Sequence, residues 1–392
     1  MPVPTLKISI LGGGPSGLYL ALLVKRRNSN IQVTVYEQNK PEDTFGFGVV
    51  LADTGLSKLE EADAESAEAM RAAMHFSSQQ TICLNGQSLD IKRPGHGGGA
   101  ITRIHLLQLL QQRCHQLGVD LRFSTRIDLN DKELMAELEQ ADLVVGADGI
   151  NSVLRQHFSN EFGTTERHLK NRFAWFGTRQ LFANPALVFK THEGGHFVAH
   201  YYRYSTTMST FVAECDEATW FHCQLDKMTD EQRQSLIERI FVQELNGDQL
   251  VAGHSVWRQF PVIRNKNWSH GKYVLMGDAL ASAHFSIGSG TRIAMEDAIA
   301  LANAIIAHPE STDTITRTYE QHRRPGKDRL IEASENSFNW YEDMANKMNA
   351  DNHYAFVYDF MTRTGRIDEQ RLAQQFPDLL ALMQKQKLSV TT

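Results

Sequence analysis

The apolar positions fall into short blocks with different periods. Leu6 to Leu11 is a near-continuous apolar run closed by a glycine turn, and Leu18 to Val24 is a second run that ends in Lys25-Arg26-Arg27. The first has the length of a buried strand, and the second, with its basic end, reads as a buried helix. Ile31 to Tyr36 is a further strand. Strand, helix and parallel strand within about 30 residues form half of a doubly wound nucleotide-binding sheet. Asp142 to Gly146 and Lys272 to Met276 are later apolar runs of the same kind, each leading into a glycine-containing turn, so this layer is expected to be discontinuous in sequence. Between them Arg172 to Thr178, Leu187 to Thr191, His196 to Tyr204 and Thr210 to Glu214 are closely spaced and aromatic-rich, the pattern of an antiparallel sheet. From Arg292 onward the chain is mostly helix-forming, with amphipathic stretches through Ala304, Thr314 to Tyr319, Ile331 to Met348 and Gln370 to Lys387.

These blocks predict an α/β protein. Residues 1–80, 100–165 and 266–310 are expected to form a Rossmann-like nucleotide domain. Residues 81–99 and 166–265 are expected to form an inserted antiparallel β-sheet substrate domain, and 311–392 a helical C-terminal region.

Composition narrows the function classes. With 392 residues, 42% of them hydrophobic, the chain can bury a large core without staples. Its 40 Lys and Arg against 46 Asp and Glu give a net charge of -6, which offers no basic footprint for nucleic acid or an anionic membrane. Met1 to Lys7 lead straight into a strand without a signal-peptide pattern, and no apolar run reaches the ~18 residues that span a bilayer, so a soluble, cytoplasmic protein is expected. Cys83, Cys114, Cys215 and Cys223 lack disulfide, redox or zinc spacing, and no metal site is expected.

Gly12-Gly13-Gly14-Pro15-Ser16-Gly17 matches GxGxxG between the first strand and helix. Gly12 suits the tight turn, Gly14 a close pyrophosphate approach and Gly17 close helix packing, while the helix N-terminus attracts an anion. Glu37 ends the second strand, 20 residues after Gly17, where a carboxylate can accept the ribose hydroxyls of an adenosine. This motif does not separate FAD from NAD. A second match, Gly95-His96-Gly97-Gly98-Gly99-Ala100 with Asp120, is read as a loop: Ser88 to Pro94 is polar and proline-broken, and Asp120 precedes its strand. No second nucleotide domain is expected.

Two further motifs favour FAD. Asp142 to Arg155, containing Asp148-Gly149, and Gly277-Asp278-Ala279 through Gly288-Ser289-Gly290-Thr291 resemble the second and third signatures of the group A flavoprotein monooxygenases, the para-hydroxybenzoate hydroxylase family. Arg103 resembles the family arginine that reaches the FAD pyrophosphate and ribityl region, and Phe45 to Val50 resembles its flavin-contacting loop. The resemblance implies an FAD-binding domain holding the cofactor through Gly12, Gly14, Pro15, Ser16, Gly17, Glu37, Gln38, Phe47, Gly48, Val49, Arg103, Asp148, Gly149, Arg155, Gly277, Asp278, Gly288, Ser289, Gly290 and Thr291. Asp278 would accept a ribityl hydroxyl, and the helix after Gly288 would face the pyrimidine end of reduced flavin. The segment with Asp148 and Arg155 would serve both FAD and NADH or NADPH. It also implies reduction by NAD(P)H, reaction with O2 to a flavin C4a-hydroperoxide, and hydroxylation of an electron-rich aromatic by a monomer or homodimer. A halogenase on this fold would need a Trp-x-Trp-x-Ile-Pro segment, which the chain lacks, and a reductase would turn over without oxygen.

Departures from the family pattern bear on the substrate. Ala281 stands for a histidine, His284-Phe285 for paired prolines, and Arg292 for an asparagine. His284 to Asp297, together with Gly95 to Gly97, is similar to the subgroup of salicylyl-CoA 5-hydroxylases and anthraniloyl-CoA monooxygenases. Trp175 to Thr178, Val188 to Thr191, Ala199-His200 and Met208 to Phe211 also resemble the tryptophan-pathway hydroxylase of violacein biosynthesis. A CoA thioester would need basic groups at the mouth of the site, for which Arg172, Arg179, Lys190 and Arg323 to Lys327 are candidates, with a solvated helix end as the plainer reading of Arg323 to Lys327. An indole-derived or other free aromatic needs only an aromatic cavity. Phe47, His200, Tyr202, His284 and Phe285 are the expected ring contacts, with His284 either orienting and deprotonating a phenol or simply packed.

Overall fold

The computed structural model describes residues 6–44, 46–92, 97–253, 255–288, 290–350 and 352–382. The strand Lys7–Leu11 pairs in parallel with Gln32–Tyr36 on one side and Leu143–Gly146 on the other, and Tyr273–Leu275 extends the sheet beyond Leu143–Gly146. The central strand is therefore shielded on both edges, which matches its near-continuous apolar run. The helix Pro15–Arg27 packs on this sheet with every residue from Pro15 to Val24 buried. The helix Gly290–Ala307 crosses it and buries Met295, Ala298, Leu301 and Ile305 in the same core.

A second sheet is built on the long strand Thr164–Thr178, flanked by Ser209–Cys215, Gly195–Arg203 and Ala186–His192 in antiparallel order. Gln79–Leu84 joins Ala186–His192 in parallel, and Gln87–Lys92 closes that edge. Of the second glycine match, expected as loop, Gly99 and Ala100 instead begin the strand Gly99–Thr102, and 93–96 lie outside the described residues. Ser88 to Lys92, read as unsuited to a central parallel strand, lies in the edge strand Gln87–Lys92. Its polarity is that of an antiparallel edge strand with one solvated face, and the only residue buried in Gln87–Lys92 is Ile91. A small third sheet pairs Gly48–Leu51 and His75–Phe76 with Gly99–Thr102. It carries the glycine loop 46–49 across to the antiparallel sheet.

The C-terminal residues form one 31-residue helix, Thr312–Glu342, with Pro325 inside it, followed by shorter helices. Trp340, Tyr341, Met344, Phe356 and Phe360 pack against Leu187, Phe189 and Val198 of the antiparallel sheet. Among the described residues no helix is long and apolar enough to cross a membrane.

Candidate active site

The glycine turn separates into packed and open positions. A Cβ on Gly12, whose φ is +107°, would lie 2.4 Å from the Ala147 carbonyl oxygen, and one on Gly17 would lie 2.1 Å from the Gly12 carbonyl oxygen. Both are required for the strand, turn and helix to close on each other. A Cβ on Gly14 would meet nothing within 4 Å, and the same holds at Gly149 and Gly288, while at Gly290 it would only reach a contact at 4.0 Å. These positions border open space at the N-termini of Pro15–Arg27 and Gly290–Ala307, where backbone amides attract anions.

Acid and base converge on that space. Glu37 accepts from the Gly13 amide at 2.8 Å through Oε2 and from the Asn39 amide at 2.8 Å through Oε1, which holds its carboxylate at the turn while leaving further lone pairs for a diol. Arg103 follows the Gly99–Thr102 strand, and its amide donates to the Phe47 carbonyl at 2.8 Å. Burial pulls its guanidinium below the ordinary arginine range, with the charges of Asp278 and Glu37 opposing. Burial raises Asp278, and the charges of Lys327 and Arg103 hold it down. Gln38 is exposed beside Glu37, Pro15 and Ser16 are buried in the first helical turn, and Thr291 is half-buried in the first turn of its helix; Ser289 lies outside the described residues.

Asp148 accepts from the Val153 amide at 2.7 Å through Oδ2, and its buried Oδ1 has no partner. Arg155 is 1% exposed and donates to the Ala279 and Ile150 carbonyls at 3.3 and 2.7 Å. Its guanidinium ties the second signature to the short helix that starts at Gly277.

The antiparallel sheet turns one face toward the groove. By the strand register, Phe173, Trp175 and Gly177 lie beside Glu214, Val212 and Thr210, which lie beside Val198, His200 and Tyr202, all nine on one face. Two segments cover the ends of this face. At one end, Gly46 and Gly48 lie so close to the Trp175 and Tyr204 rings that added Cβ atoms would come within 3.1 and 2.6 Å, and Phe47 packs over Gly177. The Tyr202 hydroxyl donates to the Gly48 carbonyl at 2.8 Å, and the Gly48 amide donates to Thr210 Oγ1 at 3.1 Å. Val49 is buried in the strand that follows. At the other end, the turn Phe285–Ile287 packs onto Phe173, with a ring distance of 4.6 Å to Phe285. His200, Phe285, Ser286, Glu214 and Tyr341 line a cavity there.

Of the expected ring contacts, His200 and Phe285 therefore line the cavity, Phe47 and Tyr202 hold the glycine loop, and His284 sits behind the turn. Its ring packs among Phe260, Phe285, Phe338 and Tyr341, and Nδ1 accepts from the Ser286 amide at 3.3 Å. Burial, reinforced by Arg363, brings the imidazole down to about 3. That is a packed, neutral histidine, unsuited to serve as a base near neutral pH. The unfolded chain takes up this proton near 6.5 and the folded protein only near 3, so the unfolded state binds more protons between those values and stability falls as pH drops through them. At about 1.4 kcal/mol per pKa unit the effect amounts to a few kcal/mol. In urea unfolding at pH 7 and pH 5, the His284→Phe variant is expected to lose less stability on acidification than the parent.

The basic residues considered for a CoA phosphate are engaged elsewhere. Lys327 (1% exposed) pairs with Asp297 at 2.5 Å and donates to the Gly277 carbonyl, and Arg323 pairs with Asp297 at 2.8 Å and Glu296 at 3.1 Å. The solvated helix end expected at Arg323 to Lys327 is thus corrected: the helix continues through Pro325, and this stretch crosses Gly290–Ala307 with both cations inward. Arg324 pairs with Glu320, Lys190 pairs with Glu244 at 2.6 Å, and Arg172 lies over the Trp220 and Phe221 rings. Arg179 remains exposed. Sequence reasoning missed Asp297, which accepts from the Gly277 amide, and Glu296, which pairs with Arg292 and Arg323, as well as Glu214 and Asn171. The match of Glu-Asp with Arg-x-x-x-Lys across two helices was the signal available for the first pair.

The family described as "FAD binding domain" matches residues 5–334. The chain belongs to this FAD-binding family. It is 36% identical over 368 residues to the salicyloyl-CoA 5-hydroxylase of a Streptomyces species, covering 92% of this chain and 70% of that protein. It is 31% identical to the 3-hydroxy-4-methyl-anthranilyl-[aryl-carrier protein] 5-monooxygenase of Streptosporangium sibiricum, over 94% of this chain and 97% of the relative. To the protodeoxyviolaceinate monooxygenase of Chromobacterium violaceum it is 30% identical, over 91% and 94%. The solved 2-methyl-3-hydroxypyridine-5-carboxylic acid oxygenase shares the fold at a TM-score of 0.71 and 17% identity, over 93% of this chain and 99% of that one. The protein is an FAD-dependent aromatic monooxygenase of this family. The residues present fit the cofactor: open glycine positions at two helix N-termini, an arginine held by the charges of two carboxylates, and a partnerless Asp148 oxygen supply donors and acceptors of the kind it needs.

Proposed function

We propose that this monooxygenase hydroxylates an aryl-CoA thioester such as salicyloyl-CoA, with NADH or NADPH as electron donor. What supports the reading is the sheet face bounded by loop 46–49 and turn 285–287, with a cavity lined by His200, Phe285 and Tyr341, in a chain most of which aligns with a salicyloyl-CoA hydroxylase. Bound FAD supplies hydride acceptance and dioxygen activation. The turn at Gly14 and the amides that follow would receive its pyrophosphate, Glu37 its ribose, Arg103 and Asp278 its central chain, and the N-terminus of Gly290–Ala307 its pyrimidine edge. The protein's share is to hold the ring on the sheet face and keep water from it. Phe47, Tyr202 and Phe285 do this by packing, since each is tied to the sheet.

The engagement of Arg323, Lys327 and Lys190 inside the fold favours a second reading, in which the substrate is an indole-derived or other free aromatic that needs no phosphate contacts. Consumption of NADH and NADPH is to be followed against free and CoA-linked phenols, anilines and indoles with product mass recorded. A gain of one oxygen confined to the CoA-linked members is expected; a gain confined to free aromatics selects the second reading.

A further inference from the structure

Glu214 is the one acid on the inward face of the strand Ser209–Cys215, opposite Val198 and beside His200. It is 3% exposed. Its Oε1 accepts from Asn171 Nδ2 at 2.8 Å, and Asn171 is itself fixed by donating to the Tyr341 carbonyl at 2.9 Å and, through its amide, to Glu342 at 2.7 Å. Oε2 has no partner, although a buried carboxylate oxygen left unpaired is costly. The carboxylate lines the cavity closed by Phe285, Ser286 and Tyr341, with room for a group about the size of a water molecule. That space suits a ring substituent, and His200 and Val212 border it on the side toward loop 46–49.

We propose that Glu214 receives the O–H or N–H donor of the substrate ring on Oε2. The assignment rests on the aromatic-hydroxylase reading and names the substituent that the site recognises. With a phenol, the ionised carboxylate takes the hydroxyl proton and becomes a neutral acid. The oxygen keeps the electron pair, which raises the nucleophilicity of the ring carbons ortho and para to it; the proton leaves to solvent after turnover. With an aniline or indole the N–H is held without transfer.

Burial, opposed by the Asn171 hydrogen bond and aided by the charge of Glu342, raises Glu214 to about 8. It is therefore a poor base below that pH and a competent one above it, so hydroxylation should rise with pH through about 8. The other groups around it are Tyr341, raised by burial; His284, neutral throughout; Arg363, over the Tyr341 ring at 5.8 Å; and His200.

The test compares salicyloyl-CoA with its O-methyl ether in the FAD-loaded enzyme. The wild type should prefer the hydroxyl compound by at least ~100-fold in kcat/KM, as expected where a buried acceptor would be left unpaired. Glu214→Gln should shrink that preference to below ~10-fold and lose the limb near pH 8, while His200→Asn keeps the limb. A wild type that accepts the ether equally overturns the assignment without recourse to any variant, as does a Glu214→Gln enzyme that retains both preference and limb. Turnover of neither compound by flavin-loaded wild type overturns the thioester reading alone; the free phenol, aniline or indole that is turned over is then compared with its O- or N-methyl derivative, and equal turnover of that pair overturns the assignment.

Discussion

Asp297→Ala is expected to destabilise the protein by about 3–5 kcal/mol, the cost of leaving buried cations without their counter-ion. Asp297 is fully buried and serves three groups at once: Arg323, Lys327 and the Gly277 amide at 2.9 Å. Burial already pulls the Lys327 ammonium below its ordinary range, with Asp297 opposing, so removal of the carboxylate leaves that charge in an apolar setting. The loss should reach the cofactor as well. Gly277 has a φ of +59° and abuts Ser16, so its position sets Asp278 against the glycine turn. Urea unfolding and flavin content of the purified protein measure both effects. The double variant Asp297→Ala/Lys327→Met should recover part of the stability, because replacing both members of a buried pair costs less than removing one. Recovery of nothing would show that Arg323 and the Gly277 amide, not Lys327, carry the loss.

Gly14→Glu should abolish flavin retention while leaving the apoprotein's stability within about 0.5 kcal/mol, the usual range for a substitution that meets no neighbour. Gly14 has an ordinary φ of -73° and faces open space, so the fold tolerates a side chain there. A carboxylate in that space meets the pyrophosphate with like charge, a penalty of several kcal/mol, or at least ~100-fold in affinity. Gly12→Ala offers the contrast, because its Cβ would collide with the Ala147 carbonyl and its positive φ is unfavourable for alanine. That variant should lose stability with or without FAD. Flavin titration of the apoprotein, paired with thermal unfolding, separates the two; equal stability losses would remove the distinction between packed and open glycines.

Much of the fold was legible because its signals are local. The parallel strands are continuous apolar runs, the antiparallel ones are aromatic-rich and close-spaced, and glycine spacing between a strand and a helix carries its own geometry. Gln87–Lys92 escaped notice because an edge strand with a wet face has little apolar signature, and Gln79–Leu84, paired on both sides, because only its second half is buried.

By itself the sequence determined a dinucleotide turn ending in Glu37, and the resemblance of its Asp148 and Asp278 motifs to the group A monooxygenases implied FAD and an aromatic substrate. Only the tertiary structure decided which way the polar residues face. Arg323 and Lys327 look like a solvated helix end until Gly290–Ala307 packs across them and supplies Asp297. His284 lies beside the cavity in sequence, yet Phe260 and Phe338, distant along the chain, fold its ring away. Glu214 is one acid among 46 until three strands and the end of a long helix close around it. The physical reason is common to all three: secondary structure follows from near neighbours, whereas burial, charge pairing and the fate of a lone oxygen depend on residues that only folding brings together.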